Sequence, residues 1–154
     1  MAGADLPLVD AHTVLVTAGP NAVWQALLRT VDHAFSGAAA ERYARIVGCT
    51  DLVDSGPRPL AEGSTIPGFH VATATPVSEL VLEGHHRFST YRLIFQVARH
   101  DATRTQLRAE TWALFPGVTG SAYRLLVVGS GGHRIVVRRL LATIGRGAQT
   151  PSAS

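Results

Sequence analysis

The sequence predicts an α+β domain in which a helix near the C-terminal end packs on one face of an antiparallel sheet. Three observations carry this reading. Between about residues 64 and 115, apolar and polar residues alternate in four successive runs joined by short polar turns; connections that short make antiparallel meanders. Ahead of that block stand one strand-like run and two helical runs, and behind it the apolar residues switch to helical spacing. A sheet with one wet face must lay the other against something, and the last helix is the element available.

Taken in order, Val9, Ala11, Thr13, Leu15 and Thr17 alternate with Asp10, His12, Val14, Val16 and Ala18. Their β-branched enrichment favours a strand. Gly19-Pro20 stops it, and Pro20 suits a helix start. Val23, Trp24, Leu27, Leu28, Val31 and Phe35 then recur at helical spacing, while Gln25 and Arg29 face out. A second helix is predicted over residues 36–47, with Ala39, Tyr43, Ile46 and Val47 as its inner stripe. Glu41 and Arg45 form a favourable i,i+4 pair, and Gly48 supplies the stop. Residues 51–63 are turn-rich and read as a surface loop.

Four strands are predicted over residues 64–75, 78–86, 88–99 and 105–115. Their inward face holds Leu80 and Leu82, then Tyr91, Leu93, Phe95 and Val97, then Leu107, Ala109, Thr111, Ala113 and Phe115. Gly68 and Gly84 read as bulges that let the sheet curve, and the phase of the strand carrying His70 stays open. A long helix is predicted over residues 120–145, placing Ala122, Leu126, Gly129, His133, Val137, Leu140 and Ile144 on one stripe. Arg124, Arg134, Arg138, Arg139 and Arg146 fall opposite. Gly129-Ser130-Gly131-Gly132 interrupts it at roughly 1 kcal/mol per glycine, which predicts a kink or a division into two helices. Residues 147–154 are expected to form a flexible tail.

Composition bounds the rest. The 154 residues fit one domain, 1–154, ordered over about residues 8–146, and 46% hydrophobic content argues against disorder. The single Cys49 excludes an intramolecular disulfide framework and a multi-cysteine zinc site, and reads as a quiet loop thiol. No apolar run approaches the roughly 18 residues of a membrane span. The opening MAGADLPLVD carries Asp5 and Asp10 without a basic segment, so no signal peptide and a cytoplasmic location are expected. All fourteen basic residues are arginine and most are scattered; only Arg134, Arg138, Arg139 and Arg146 gather. Without a base-reading or stacking motif, no nucleic-acid partner is expected. No metal is expected either. His85 and His86 are adjacent on a strand and point to opposite faces, and no helical His–Glu pairing is present. Gly129–Gly132 neither follows a strand nor precedes a lysine, as a phosphate loop would.

The order of elements resembles the helix-grip fold of the START-like (SRPBCC) superfamily, which includes the birch-pollen allergen family, polyketide cyclases and bacterial relatives. Ala18-Gly19-Pro20-Asn21-Ala22-Val23-Trp24 is similar to the superfamily's alanine-proline…valine-tryptophan pattern at the first strand–helix junction. Leu107-Arg108-Ala109-Glu110-Thr111-Trp112-Ala113-Leu114-Phe115-Pro116-Gly117, with Tyr123-Arg124-Leu125-Leu126, is similar to the end of uncharacterised bacterial members. The likeness spans about residues 9–146. The rival fold, the cystatin-like cone, characteristically ends in strands, whereas this chain ends in a helix. The resemblance implies a curved sheet wrapped round the last helix, with a cavity between them that binds apolar or aromatic molecules. It carries over no catalytic residue, because the superfamily shares no catalytic motif and fold alone does not give function.

Candidate ligand-binding residues are Ser89, Tyr91, Leu93, Phe95, Leu107, Thr111, Leu126 and His133. On a continuous helix the His133 imidazole points into the cavity, where it could act as a base or a hydrogen-bond anchor. The plainer alternative is a glycine-flanked histidine that is exposed or bonded to a backbone carbonyl. Ser89, Tyr91 and Thr111 are polar among apolar neighbours and could orient a ligand; unpaired they would cost about 1–3 kcal/mol each, so they should find partners. Tyr91 adds a ring and a hydroxyl. Arg108, Glu110 and Trp112 share the outward face, although a one-residue slip would turn them inward. Trp112 there is a candidate homodimer contact. The expected function is binding an apolar or aromatic small molecule as carrier, sensor or sequestering protein, without a tightly held cofactor. One alternative is an aromatase/cyclase- or dehydratase-type enzyme with His133 and Tyr91 as acid and base. A protein-interaction module using the arginine-lined helix face or Trp112 is another.

Overall fold

A computed structural model of the chain describes residues 6–129 and 131–149. Strand β1 (Leu8–Val16) hands over at Gly19 to helix α1 (Pro20–Ala34), whose first turn holds Pro20, where the missing N–H forfeits no bond. The apolar face of α1 buries Val23, Trp24, Ala26, Leu27, Leu28 and Val31. Helix α2 (Ala38–Val47) stops at Gly48, which takes the left-handed conformation at φ +75°. Its buried residues are Ala44 and Val47, whereas Tyr43 and Ile46 are mostly exposed. The predicted stripe is therefore turned. Its reason is that α2 packs on a small separate cluster with Cys49, Leu52 and Phe88 instead of on the main core.

Among the described residues six antiparallel strands form one sheet in the order β1-β6-β5-β4-β3-β2. The run predicted over residues 64–75 is split into β2 (Thr65–Ile66) and β3 (Phe69–Thr75). Pro67 has no N–H for the ladder, and Gly68 turns the chain at φ +90°. The strands β4 (Glu79–His86), β5 (Ser89–Arg99) and β6 (Thr105–Leu114) follow the predicted alternation. Leu80, Leu82, Phe95, Leu107 and Ala109 are fully buried on the inner face. His70 faces outward, against Asp51 and Glu83, which settles the phase of its strand. The loop at residues 51–63 is pinned to the core by buried Leu60.

Gly84 is not a bulge. The β4–β5 register runs unbroken through Gly84 and its partner Tyr91, and the irregularities lie instead between Leu8 and Asp10 and between Val71 and Thr73. A Cβ at Gly84 would collide with the Gly68 carbonyl oxygen and the Tyr91 ring.

Past β6 the glycine-rich segment divides the predicted helix in two: α3 (Gly117–Val127) and α4 (Gly132–Gln149), with Gly131 at φ +79° between them. Helix α4 lays Val137, Leu140, Leu141 and Ile144 on α1 and the sheet. It continues to Gln149, so the predicted tail is helical at its start, and residues 150–154 lie outside those described. The break resets the helical phase. Ala122 and Leu126 consequently face solvent, Leu126 at 71% exposure, and Tyr123 turns inward. Among the described residues no helix is long and apolar enough to cross a membrane.

Candidate functional site

Residues two apart on a strand share a face. Ser89, Tyr91 and Leu93 of β5 and Thr111 and Ala113 of β6 thus line up at the open end of the sheet. Helices α2 and α3 and the first turn of α4 cover them, leaving a cavity of about 300 Å³. Its wall is mostly apolar and aromatic, with Phe35, Phe69, Phe115, Val127 and Val128 completing it. Five of the predicted ligand-binding residues meet there: Ser89, Tyr91, Leu93, Thr111 and His133. Phe95 and Leu107 share the inward face but belong to the solid core. Leu126 is on the outer side of α3, away from the cavity, for the reason given above.

Tyr91 lies across Gly84 and donates its hydroxyl hydrogen to the Gly68 carbonyl at 2.5 Å. Its ring meets Phe69 edge-on at 5.2 Å. Burial, with the neighbouring Cys49 second, pushes its ionisation far above the usual tyrosine range. Cys49 is not a detached loop thiol: it lines the cavity, with Sγ 3.7 Å from the Tyr91 hydroxyl. Burial pushes its thiol up, the Tyr91 hydrogen bond partly offsets this, and Asp51 adds to it. Nothing in the local sequence at Cys49 signals this, since the contact is made across the fold.

His86, the inward member of the adjacent pair, is buried in the cavity wall. Its Nδ1 accepts the Phe88 N–H at 3.0 Å, so the neutral ring carries its proton on Nε2. Burial and then His85 lower its pKa. Tyr123 packs edge-on against His86 at 5.0 Å and stacks on Phe88 at 5.3 Å. The Tyr123 and Tyr43 hydroxyls hydrogen-bond, joining α3 to α2 over the cavity. Burial raises the Tyr123 ionisation, with the Tyr43 hydrogen bond second.

His133 has polar partners of its own. Its Nε2 lies 3.0 Å from Thr111 Oγ1 and 3.4 Å from Asp10 Oδ1, and Asp10 Oδ2 lies 3.2 Å from His12 Nε2. The irregularity at the start of β1 sets Asp10 opposite Thr111 and His12 opposite Ala109, on the inner face. Asp10 and His12 were not among the predicted site residues. The signal was present: they stand two apart on one strand, in phase with Val14 and Val16. Ser89 is buried, and among the described residues its hydroxyl reaches only the Thr90 carbonyl, at 3.4 Å.

The outer face carries Arg108, Glu110 and Trp112 as expected. Glu110 accepts from Arg108 Nε at 2.8 Å and from Trp112 Nε1 at 3.0 Å. The Arg108 bond, with Trp112 assisting, holds the Glu110 carboxyl below its ordinary range. Among the described residues no group of three or more His, Cys, Asp or Glu side chains could hold a metal ion.

No protein-family model matches the chain, and no curated protein is similar to it in sequence. Solved structures are similar in fold. Truncated norcoclaurine synthase from Thalictrum flavum superposes with a TM-score of 0.60 at 9% identity, over 97% of this chain and 99% of that one. The Zhui aromatase/cyclase from Streptomyces sp. R1128 gives 0.56 at 17% identity, over 90% and 92%. A conserved protein from Geobacillus kaustophilus gives 0.53 at 14% identity, over 90% and 93%. With the antiparallel sheet and long C-terminal helix, these likenesses show the fold: the chain has a helix-grip, polyketide cyclase-like fold.

Proposed function

We propose that the chain binds a small, largely apolar aromatic molecule in the cavity between the sheet and helices α2–α4, as a carrier, sensor or sequestering protein. One observation carries this reading: a cavity of about 300 Å³ walled mainly by aromatic and aliphatic side chains, with few polar groups. Small-molecule pockets run from roughly 300 to 1,000 Å³, so this one suits a compact ligand of one or two rings. Apolar walls supply affinity in proportion to the area removed from water, and the rings of Tyr91, Phe69 and Tyr123 favour a flat guest that packs edge or face against them.

A second reading, an acid–base enzyme resembling the aromatase/cyclase neighbour in chemistry, draws support from the contact between His133 and Asp10. The engagement of the Tyr91 hydroxyl with Gly68 speaks against Tyr91 as its proton donor. The binding reading therefore leads.

Isothermal titration with 2-methoxynaphthalene tests it. Saturable binding is expected, lost in Ala113→Phe, a substitution that fills the cavity from its wall. A folded Ala113→Phe variant that binds as well as the parent would overturn the reading, as would a parent that binds no aromatic probe.

A further inference from the structure

Asp10 Oδ1 is the one buried side-chain polar atom, among the described residues, without a hydrogen-bond partner. A carboxylate oxygen only accepts, and leaving it unpaired in the interior is costly. The other oxygen, Oδ2, is already met by His12 Nε2 at 3.2 Å. His133 Nε2, at 3.4 Å, is the nitrogen placed to serve Oδ1, and Thr111 Oγ1 stands beside it as a second acceptor at 3.0 Å. A proton on Nε2 bonds to Thr111 Oγ1 and faces the Asp10 carboxylate at ion-pair distance, and in the neutral ring it leaves the lone pair on Nδ1.

Among the described residues Nδ1 of His133 has no hydrogen-bond partner, and the ring lines the cavity. Two elements fix it from behind: β1 through Asp10, β6 through Thr111. The groups of β6 that flank Thr111 on the inner face, Ala109 and Ala113, carry no charge. The titratable group paired with the ring is Asp10, which His12 meets in turn. A carboxylate behind an imidazole strengthens the acceptor on its far side, because the positive charge that builds there on accepting a proton is stabilised.

We propose that His133, positioned by Asp10, is the acceptor that recognises a hydroxyl on the bound molecule, so that the ligand is an aromatic alcohol of phenol type rather than a bare hydrocarbon. This rests on the binding reading above and names its ligand class. The rest of the cavity holds the rings, and the hydroxyl sits at the α4 end, donating to Nδ1. A neutral aromatic that lacks the donor fills the same space but leaves Nδ1 unpaired once water is expelled, and a site built to bond a hydroxyl holds such an analogue more weakly.

Paired titrations of 2-naphthol and 2-methoxynaphthalene test this, since the two share their ring system and a methyl group in the second replaces the hydroxyl hydrogen that donates. The parent protein should bind 2-naphthol at least about tenfold more tightly, a preference of about 1.4 kcal/mol. His133→Phe should erase the preference while keeping affinity for 2-methoxynaphthalene. Asp10→Asn should shrink it, and in the same variant the histidine nitrogen-15 spectrum should lose the Nε2-protonated signature of His133, a change that a purely structural Asp10 would not produce. Equal affinity of the parent for both probes would overturn the inference and leave the binding reading standing. Failure of both probes to bind would overturn the two together. An unchanged preference in folded His133→Phe would assign the hydroxyl to another group and overturn the inference alone.

Discussion

The ring of Tyr91 occupies the space that a side chain at Gly84, its cross-strand partner, would need. That single absence lets the phenol cross the sheet surface and reach the Gly68 carbonyl beyond it. Gly84→Ala therefore drives a methyl group into the Tyr91 ring and the Gly68 backbone. A loss of about 1–3 kcal/mol is expected, the usual range for overpacking, read from urea unfolding. Adding Tyr91→Ala should recover part of it, since Gly68 remains in the way. Additive losses in the double variant would contradict this account.

The hydrogen bond between Tyr43 and Tyr123 joins two helices that cover the cavity from different sides. Tyr43 is half-exposed, so Tyr43→Phe should cost little stability, about 0.5–1.5 kcal/mol at most. Its expected effect is kinetic: faster release of a bound aromatic probe in stopped-flow displacement. Tyr123→Phe should act on the same step, and the double variant should be no faster than either single one. Unchanged release rates would show that the cover opens elsewhere.

His86 ties stability to acidity. Burial lowers its pKa in the folded chain, so over the interval between its folded pKa and its ordinary value of about 6.5 the unfolded state binds the proton and the folded state does not. Stability rises with pH wherever the unfolded state binds more protons. It is therefore expected to fall as pH drops from about 7 through the His86 transition. His86→Phe should flatten that decline in urea titrations run across the same interval. An equally steep decline in the variant would assign the effect to another group.

Cys49 should be a slow thiol. Burial raises its pKa and keeps it protonated at neutral pH, and the thiolate is the reactive form. Native protein is expected to react with a disulfide reagent far more slowly than urea-unfolded protein, and more slowly again when an aromatic probe fills the cavity. Immediate labelling of the native chain would contradict its placement in the cavity wall.

Much of this architecture could be read from the chain. The strands from Glu79 to Leu114 are long and cleanly alternating, so the inward phase of Tyr91, Leu93, Thr111 and Ala113 follows from the pleat. The placement of Leu126 failed because a helical pattern carries no mark of where its phase restarts. The glycines near residue 130 showed that the helix was weak there, but not that α3 would rotate Tyr123 inward and Leu126 outward. Ile46 misled in a similar way: its spacing is amphipathic, but α2 rests on a small cluster and leaves much of that stripe bare. Asp10 and His12 stood in phase with Val14 and Val16, and their weight comes only from the distant His133. Contacts of that kind belong to the folded chain and leave no periodic trace. The placement of Cys49 beside Tyr91 is another.

The break between α3 and α4 separates two jobs that one continuous helix would have to share. Helix α4 supplies the packing on α1 and β1, while α3 contributes Tyr123 and Val127 to the cavity and only Gly120 is fully buried along its length. The roof is in this sense a replaceable part. Changes in the sequence of α3 can reshape the cover of the chamber while the foundation stays in place, so apart from His133 at the start of α4 the fit of the cover and the robustness of the fold are tuned by different stretches of the same chain.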